Sequence, residues 1–465
     1  KSKLLDHVVL LIVPMYNLGG ALNSGCCSRA NQNGPERYGF RGNARNLDLN
    51  RDFIKCDSKN AVIFNDLFTT WQPDVFIDNH TSNGADYQYV MTYIATQADK
   101  LQPDLAAYMQ QNLLPKLEEG MHQKKFEMCP YVYSIEDVPD KGIMGFLETP
   151  RYSTGYTALH NCIGFVPETH MLKKFSDRVA ATYAFSLSVL QIMDKDYKKI
   201  QIARQKANSS VAAQQMFPVA WQLDKTEHSL IDFKGYEAGY KPSVVTGNTR
   251  LFYDQSKPFT KKIKYFNRYK TTVVIEKPLA YIVPQAWTAV IERLKMNKVT
   301  MTRLTTDKKV AVEVYYIEKY TTKKNAYEGH YLHSDTQIRT EEQTLQFYAG
   351  DYLIVPNQIG NRYIVETLEP QATDSFFNWN FFDSILQQKE YFSPYVFEEI
   401  AADMLAKDKK LAEKLAEKQK DTTFAQNSWA VLSYLYEQSD FYENTHNRYP
   451  IARVIHQESL QKCMD

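Results

Sequence analysis

Up to about residue 205, short apolar runs alternate with longer stretches of helical periodicity, which restricts the fold more than any other feature of the chain. The runs at 8–13, 75–77, 89–93 and 163–166 have strand length and are rich in β-branched or aromatic residues. Between them, 61–71, 101–117 and 175–193 read as amphipathic helices. A layered α/β sheet is therefore expected over 1–205. The run 8–13 ends at Pro14 with no small-residue cleavage site behind it, and is expected to be a buried strand and not a signal peptide. Opening on a core strand, the chain is expected to begin inside a domain. The polar, Ala- and Gln-rich segment 201–215 is the expected linker.

After that segment the texture changes to Thr, Val, Tyr and Lys. The runs 271–276 and 310–316 point to a β-rich domain over 206–345, expected to be a sandwich. The remainder, 346–465, is expected to return to strand and then become mainly helical, with 408–420 a solvated charged face. At 465 residues the chain is too long for one ordinary core, in keeping with this division. The 32 tyrosines and 24 phenylalanines suit β-rich packing. A net charge of +1 gives no electrostatic ground for nucleic acid or an anionic membrane as partner. No run approaches the roughly 18 apolar residues of a membrane span. The six cysteines form no Cys-x-x-Cys pair; buried free thiols, or a bridge from Cys26 or Cys27 to Cys56, both stay open.

Three places hold chemistry-bearing residues. Arg41, Arg45, Asp48, Asn50 and Arg51 lie in one glycine-punctuated stretch, and guanidinium forks beside an amide match a carboxylate. A salt-bridged surface loop would look the same. Asp78-Asn79-His80 follows a strand-like run, where an imidazole oriented by Asp78 or Asn79 can ligate a metal or simply end a strand. Glu168 closes the apolar run 163–166 after Pro167, and burial there would raise its pKa toward the range of a general base. Alone, it also reads as a solvent-facing residue at a strand end.

Taken in order, Asn17-Leu18-Gly19-Gly20, Asp48-Leu49-Asn50-Arg51, Asp78-Asn79-His80 and Pro167-Glu168 resemble the carboxypeptidase A-like zinc peptidases, the funnelins. The interval from Arg41 to Asn50 is similar to the arginine spacing of one branch. The stretches Gly350-Asp351-Tyr352, Leu368-Glu369-Pro370 and Asp374-Ser375-Phe376 resemble the C-terminal extension of a bacterial subgroup. The resemblance implies a mixed-sheet catalytic domain, a zinc cofactor and an extracytoplasmic enzyme, periplasmic or secreted. Its substrate would be a peptide with a free C-terminal carboxylate. It implies His80 as third zinc ligand, Glu168 as general acid/base and Arg41 on the oxyanion, with Arg45 its rival. Asn50 and Arg51 would hold the terminal carboxylate, and Tyr152 or Tyr156 would serve the substrate. The family's other two ligands come from a His-x-x-Glu motif ahead of the Asn17 strand. None of the ten histidines here is followed by Glu at the third position, so those ligands are expected upstream or not at all. Two alternatives remain: a metal-free protein binding a peptide or cell-wall fragment, and an amidase or deacylase acting on a non-peptide substrate.

Overall fold

A computed structural model describes residues 4–465; the first three residues of the expected 1–205 unit lie outside them. The first part contains β1 (Val75–Ile77), β2 (His80–Ser82), β3 (Met91–Ala95), β4 (Met128–Pro130), β5 (Ile143–Met144) and β6 (Ile163–His170). All eight residues of β6 are buried, so its backbone groups need partners on both edges. One edge pairs in parallel with β1 and β2, the other antiparallel with β3, and β4 extends the sheet past β3. Both β1 and β2 keep the same register along β6: Val75 faces Ile163 and His80 faces Glu168. The break between them includes Asn79, which at that register faces Pro167, a residue with no N–H for the ladder.

Helices cover this sheet. Lys59–Trp71 starts where Ser58 accepts a hydrogen bond from Ala61 N (3.0 Å), and it stops at Gln72, which takes a left-handed φ of 45° before Pro73. Phe175–Ala213 runs for 39 residues and buries Ala181, Phe185, Val189, Ile192, Ile200, Ala203, Ala207 and Val211 along one stripe. The expected linker 201–215 is therefore mostly the end of this helix. Its alanines, which looked like linker composition, are strong helix formers, and two of them, Ala203 and Ala207, reach the core stripe. Residues 8–13 also depart from expectation. They form no strand, and Val9 and Ile12 are 78 % and 68 % exposed. An apolar run is buried only where a surface exists to receive it, and among the described residues the sheet ends at β1.

The later strands are β7 (Met216–Leu223), β8 (Ser229–Pro242), β9 (Thr249–Phe266), β10 (Tyr269–Glu276), β11 (Ala280–Val283), β12 (Thr302–Arg303), β13 (Lys308–Thr322), β14 (His333–Phe347), β15 (Tyr352–Ile354) and β16 (Ala452–Val454). They divide among three sheets, with orders β10-β7, β5-β9-β8 and β12-β15-β11-β16-β13-β14. The chain is thus mixed α/β, but the expected 206–345 sandwich does not stand alone. Strand β5 comes from the first part, and β15 and β16 come from beyond residue 345. Composition reveals strands; it does not reveal which distant segment supplies their partners. No helix among the described residues is long and apolar enough to cross a membrane.

One core joins the two halves, with Phe53, Phe68 and Tyr156 packed into the same cluster as Tyr281, Tyr363 and Trp379. His160 lies in this seam, its ring 5.4 Å from Phe68, 4.9 Å from Tyr156 and 5.7 Å from Tyr363 between centroids. Burial, reinforced by Arg204, pushes its pKa down to about 3. Between pH 6.5 and 3 the unfolded chain binds a proton that folded His160 refuses, so stability should fall as the pH drops through that window, by up to about 1.4 kcal/mol per pH unit from this group. A His160→Asn variant should show a shallower loss in urea unfolding across that range, whereas slopes identical to the parent would show that His160 contributes nothing.

Candidate active site

The register of β2 on β6 brings His80 and Glu168 face to face. His80 Nδ1 lies 3.7 Å from Glu168 Oε1, and its Nε2 lies 3.1 Å from Asp78 Oδ2. Glu168 is buried, and its Oε2 has no hydrogen-bond partner. Burial raises the Glu168 pKa to about 7; His80 and Arg41 pull it down while Glu148 and Asp78 push it up. Burial alone would lower that of His80, but Asp78 and Glu168 lift it to about 10. Asp78 sits below the usual carboxylate range: burial opposes this, and the cationic imidazole outweighs burial. A carboxylate half-ionised near neutrality, with a free oxygen, can take and return a proton.

Glu148 belongs to this cluster and was not singled out by sequence. It is buried, and its Oε2 accepts hydrogen bonds from Thr154 N (2.8 Å) and Thr154 Oγ1 (2.6 Å). Its pKa is nonetheless raised by burial. No motif marks it: it follows Phe146 and Leu147 as an ordinary glutamate before a Thr-Pro pair.

The arginine stretch is arranged around Asp48. Asp48 Oδ1 accepts from Asn50 N (3.0 Å), opening the single turn Leu49–Arg51, and Oδ2 accepts from Arg41 Nε (2.8 Å). Arg51 Nη1 is 4.0 Å from the same Oδ2, and the guanidinium lies 4.4 Å over the Tyr152 ring. The Asn50 side-chain oxygen is buried without a partner. Asn17 fixes the other end, donating from Nδ2 to the Arg41 carbonyl (3.0 Å) while its Oδ1 accepts from Gly20 N (2.8 Å). A Cβ at Gly20 would sit 2.3 Å from the Phe40 carbonyl oxygen, so only glycine allows this approach.

Arg41, Asn50, Arg51 and Tyr152 thus surround one turn, and Arg41 is close enough to Glu168 to shift its titration. Arg45 points elsewhere, its Nη1 donating to the Asp57 carbonyl (2.9 Å). Tyr156 does not reach a surface: it is fully buried, and its hydroxyl lies 3.0 Å from Asn65 Oδ1 and 2.7 Å from Asn297 Oδ1. Of the two tyrosines expected to serve a substrate, only Tyr152 adjoins the arginines. Neither Cys26 nor Cys27 bridges to Cys56. They are bonded to each other, and Cys56 is a buried free thiol. His80 is the one member of the expected zinc set that the chain presents. Among the described residues no group of three His, Cys, Asp or Glu side chains is disposed to hold a metal ion.

Carboxypeptidase 2 of Trichophyton rubrum is 21% identical over 400 residues, covering 81% of this chain and 66% of that protein. Probable carboxypeptidase 2 of Arthroderma benhamiae is 21% identical over 398 residues, covering 80% and 68%. The chain is similar to fungal carboxypeptidases. It spans about two thirds of the length of these relatives. No protein-family model matches the chain, and no solved structure does.

The Tyr156 environment can be tested directly. Tyr156→Phe leaves Asn65 and Asn297 short of a buried donor, which should cost about 1–3 kcal/mol in urea unfolding while leaving peptide binding unchanged. Weaker peptide binding at undiminished stability would move the hydroxyl into the site.

Proposed function

We propose that this chain hydrolyses peptide bonds by removing C-terminal residues from peptides that end in a free carboxylate. The observation that supports it best is a buried proton-transfer group, Glu168 beside His80, within the electrostatic reach of Arg41, which shares Asp48 with the amide-and-guanidinium turn of Asn50 and Arg51. Asn50 and Arg51 anchor the terminal carboxylate, the guanidinium as a charged fork and the amide as a neutral donor. Anchoring the end of the chain fixes which bond reaches Glu168, so cleavage is exo and not internal. Glu168 takes the proton of the attacking water and returns it to the leaving amine. Arg41 meets the negative charge that develops on the carbonyl oxygen, an effect of about 3 kcal/mol per donor in comparable sites.

A zinc ion is part of the proposal carried by the family resemblance, where it supplies Lewis-acid polarisation of the carbonyl and acidifies water. The residues present do not fit it by themselves, since a catalytic zinc needs three protein ligands and His80 is one. No step above is routed through it. A second reading rests on the Asn50–Arg51 turn alone: a metal-free site that binds a peptide or cell-wall fragment through its carboxylate without cleaving it. The two differ in whether a shortened product forms.

Two variants separate the roles. Glu168→Gln keeps size and hydrogen bonding but removes the base, so turnover should fall at least about a hundredfold with little change in KM. Arg51→Ala should cost about 2 kcal/mol or more on free-acid peptides and almost nothing on C-terminally amidated ones. Equal losses on both peptides would remove Arg51 as the anchor and point to an endopeptidase or amidase.

A further inference from the structure

The turn that holds Asn50 and Arg51 is itself held by a residue nearly three hundred positions away. In the connection between β13 and β14, Tyr327 N donates to His330 O (2.7 Å) and His330 N donates to Tyr327 O (3.1 Å). The two residues between them, Glu328 and Gly329, have φ of 53° and 84°. Two positive values mark a type I′ turn, whose first central position favours Asn, Asp or Gly. A glutamate there is strained, and no contact within the turn compensates it. Its carboxylate acts elsewhere: Oε2 accepts a hydrogen bond from Asp48 N at 2.7 Å.

That contact lands on the residue that organises the candidate site. Asp48 orients Asn50 through its backbone N–H and orients Arg41 through Nε, with Arg51 alongside. The same turn is anchored next door, where His330 Nε2 meets Asp57 Oδ2 at 2.7 Å. The opposite wall is held in the same way. Arg151, the residue before Tyr152, binds Asp374 through its backbone N and its Nε, both at 2.9 Å.

We infer that Glu328 is a positioning residue for the Asn50–Arg51 clamp, so that recognition of a terminal carboxylate is set by the C-terminal half of the chain. This rests on the carboxylate reading of the clamp made above. By fixing the Asp48 amide, Glu328 keeps the Asp48 carboxylate where it can orient Arg41 and the Asn50 amide together. Freed from Glu328, the turn samples other positions, and the clamp loses alignment without losing any of its own side chains.

The test is calorimetric binding of N-acetyl-Ala-Ala-Phe, as the free acid and as the amide, to the full chain and its Glu328→Asn and Glu328→Gln variants. Asparagine suits the turn better than glutamate but is too short to reach Asp48, so its melting temperature should not fall. Its affinity for the free acid should drop about fivefold, the equivalent of one net hydrogen bond, while the amide is unaffected. Glutamine keeps an acceptor at the same reach and should restore most of the loss. A parent chain that prefers the acid, with Glu328→Asn equally selective, overturns the positioning role alone. So does an equal loss on acid and amide accompanied by a lower melting temperature, which would make Glu328 merely structural. A parent chain that does not distinguish acid from amide overturns the clamp reading itself.

Discussion

The site depends on the register of β2 against β6. A strand buried on both faces and paired on both edges has one acceptable alignment, and a slip of one residue would turn His80 and Glu168 to opposite faces. Pro167 interrupts the ladder without shifting it, because β1 and β2 hold the same offset on either side. The consequence is electrostatic. Burial gathers Asp78, Glu148 and Glu168 around a single histidine, so the carboxylates compete for one positive charge. Asp78 wins the closest contact and stays ionised, while Glu168 is left poised near neutrality.

A second constraint couples that cluster to the rest of the molecule. Lys55 is fully buried between Asp52 and Asp57, each 2.8 Å away, and Asp57 also meets Arg293 at 2.8 Å and His330 at 2.7 Å. Burial would raise the Asp57 pKa, but His330 and Lys55 hold it well below the usual carboxylate range. Buried charges of this kind are stable only as a complete set, since removing one partner leaves another unpaired at about 3–5 kcal/mol. The network ties the loop after Arg51 to the β-rich part, next to the shared core of Phe53, Phe68, Tyr281 and Trp379. The rim of the candidate site is therefore an assembly of both halves of the chain.

This explains what could and could not be read from the residues. The strand 163–166 and the helix 61–71 were legible because local periodicity encodes them, and His80 and Glu168 stood out by their places at the ends of apolar runs, whereas their facing is set by strand register. Local pattern failed where the answer lay in a distant partner. The run 8–13 is apolar enough for a core but finds no strand partner among the described residues. Tyr156 was a candidate through the family resemblance alone, yet Asn65 and Asn297 engage its hydroxyl in the core. Asp374 lay in a stretch noted for resemblance alone, and its hold on Arg151 is invisible before folding. Glu328 carried one usable signal, a Glu-Gly pair in a tight connection, but nothing in the sequence tells where such a carboxylate will land. The Cys26–Cys27 bond escaped because neighbouring cysteines were read as two chances to reach Cys56.

The central claim is that the buried Glu168–His80 pair and the Asn50–Arg51 turn act on the end of a peptide chain. Mass spectrometry of peptides incubated with the full-length protein, with and without added zinc, tests it most directly. Free-acid peptides should lose residues one at a time from the C-terminus, and their C-terminally amidated counterparts should remain intact. Internal fragments, or peptides unchanged in both conditions, would contradict it.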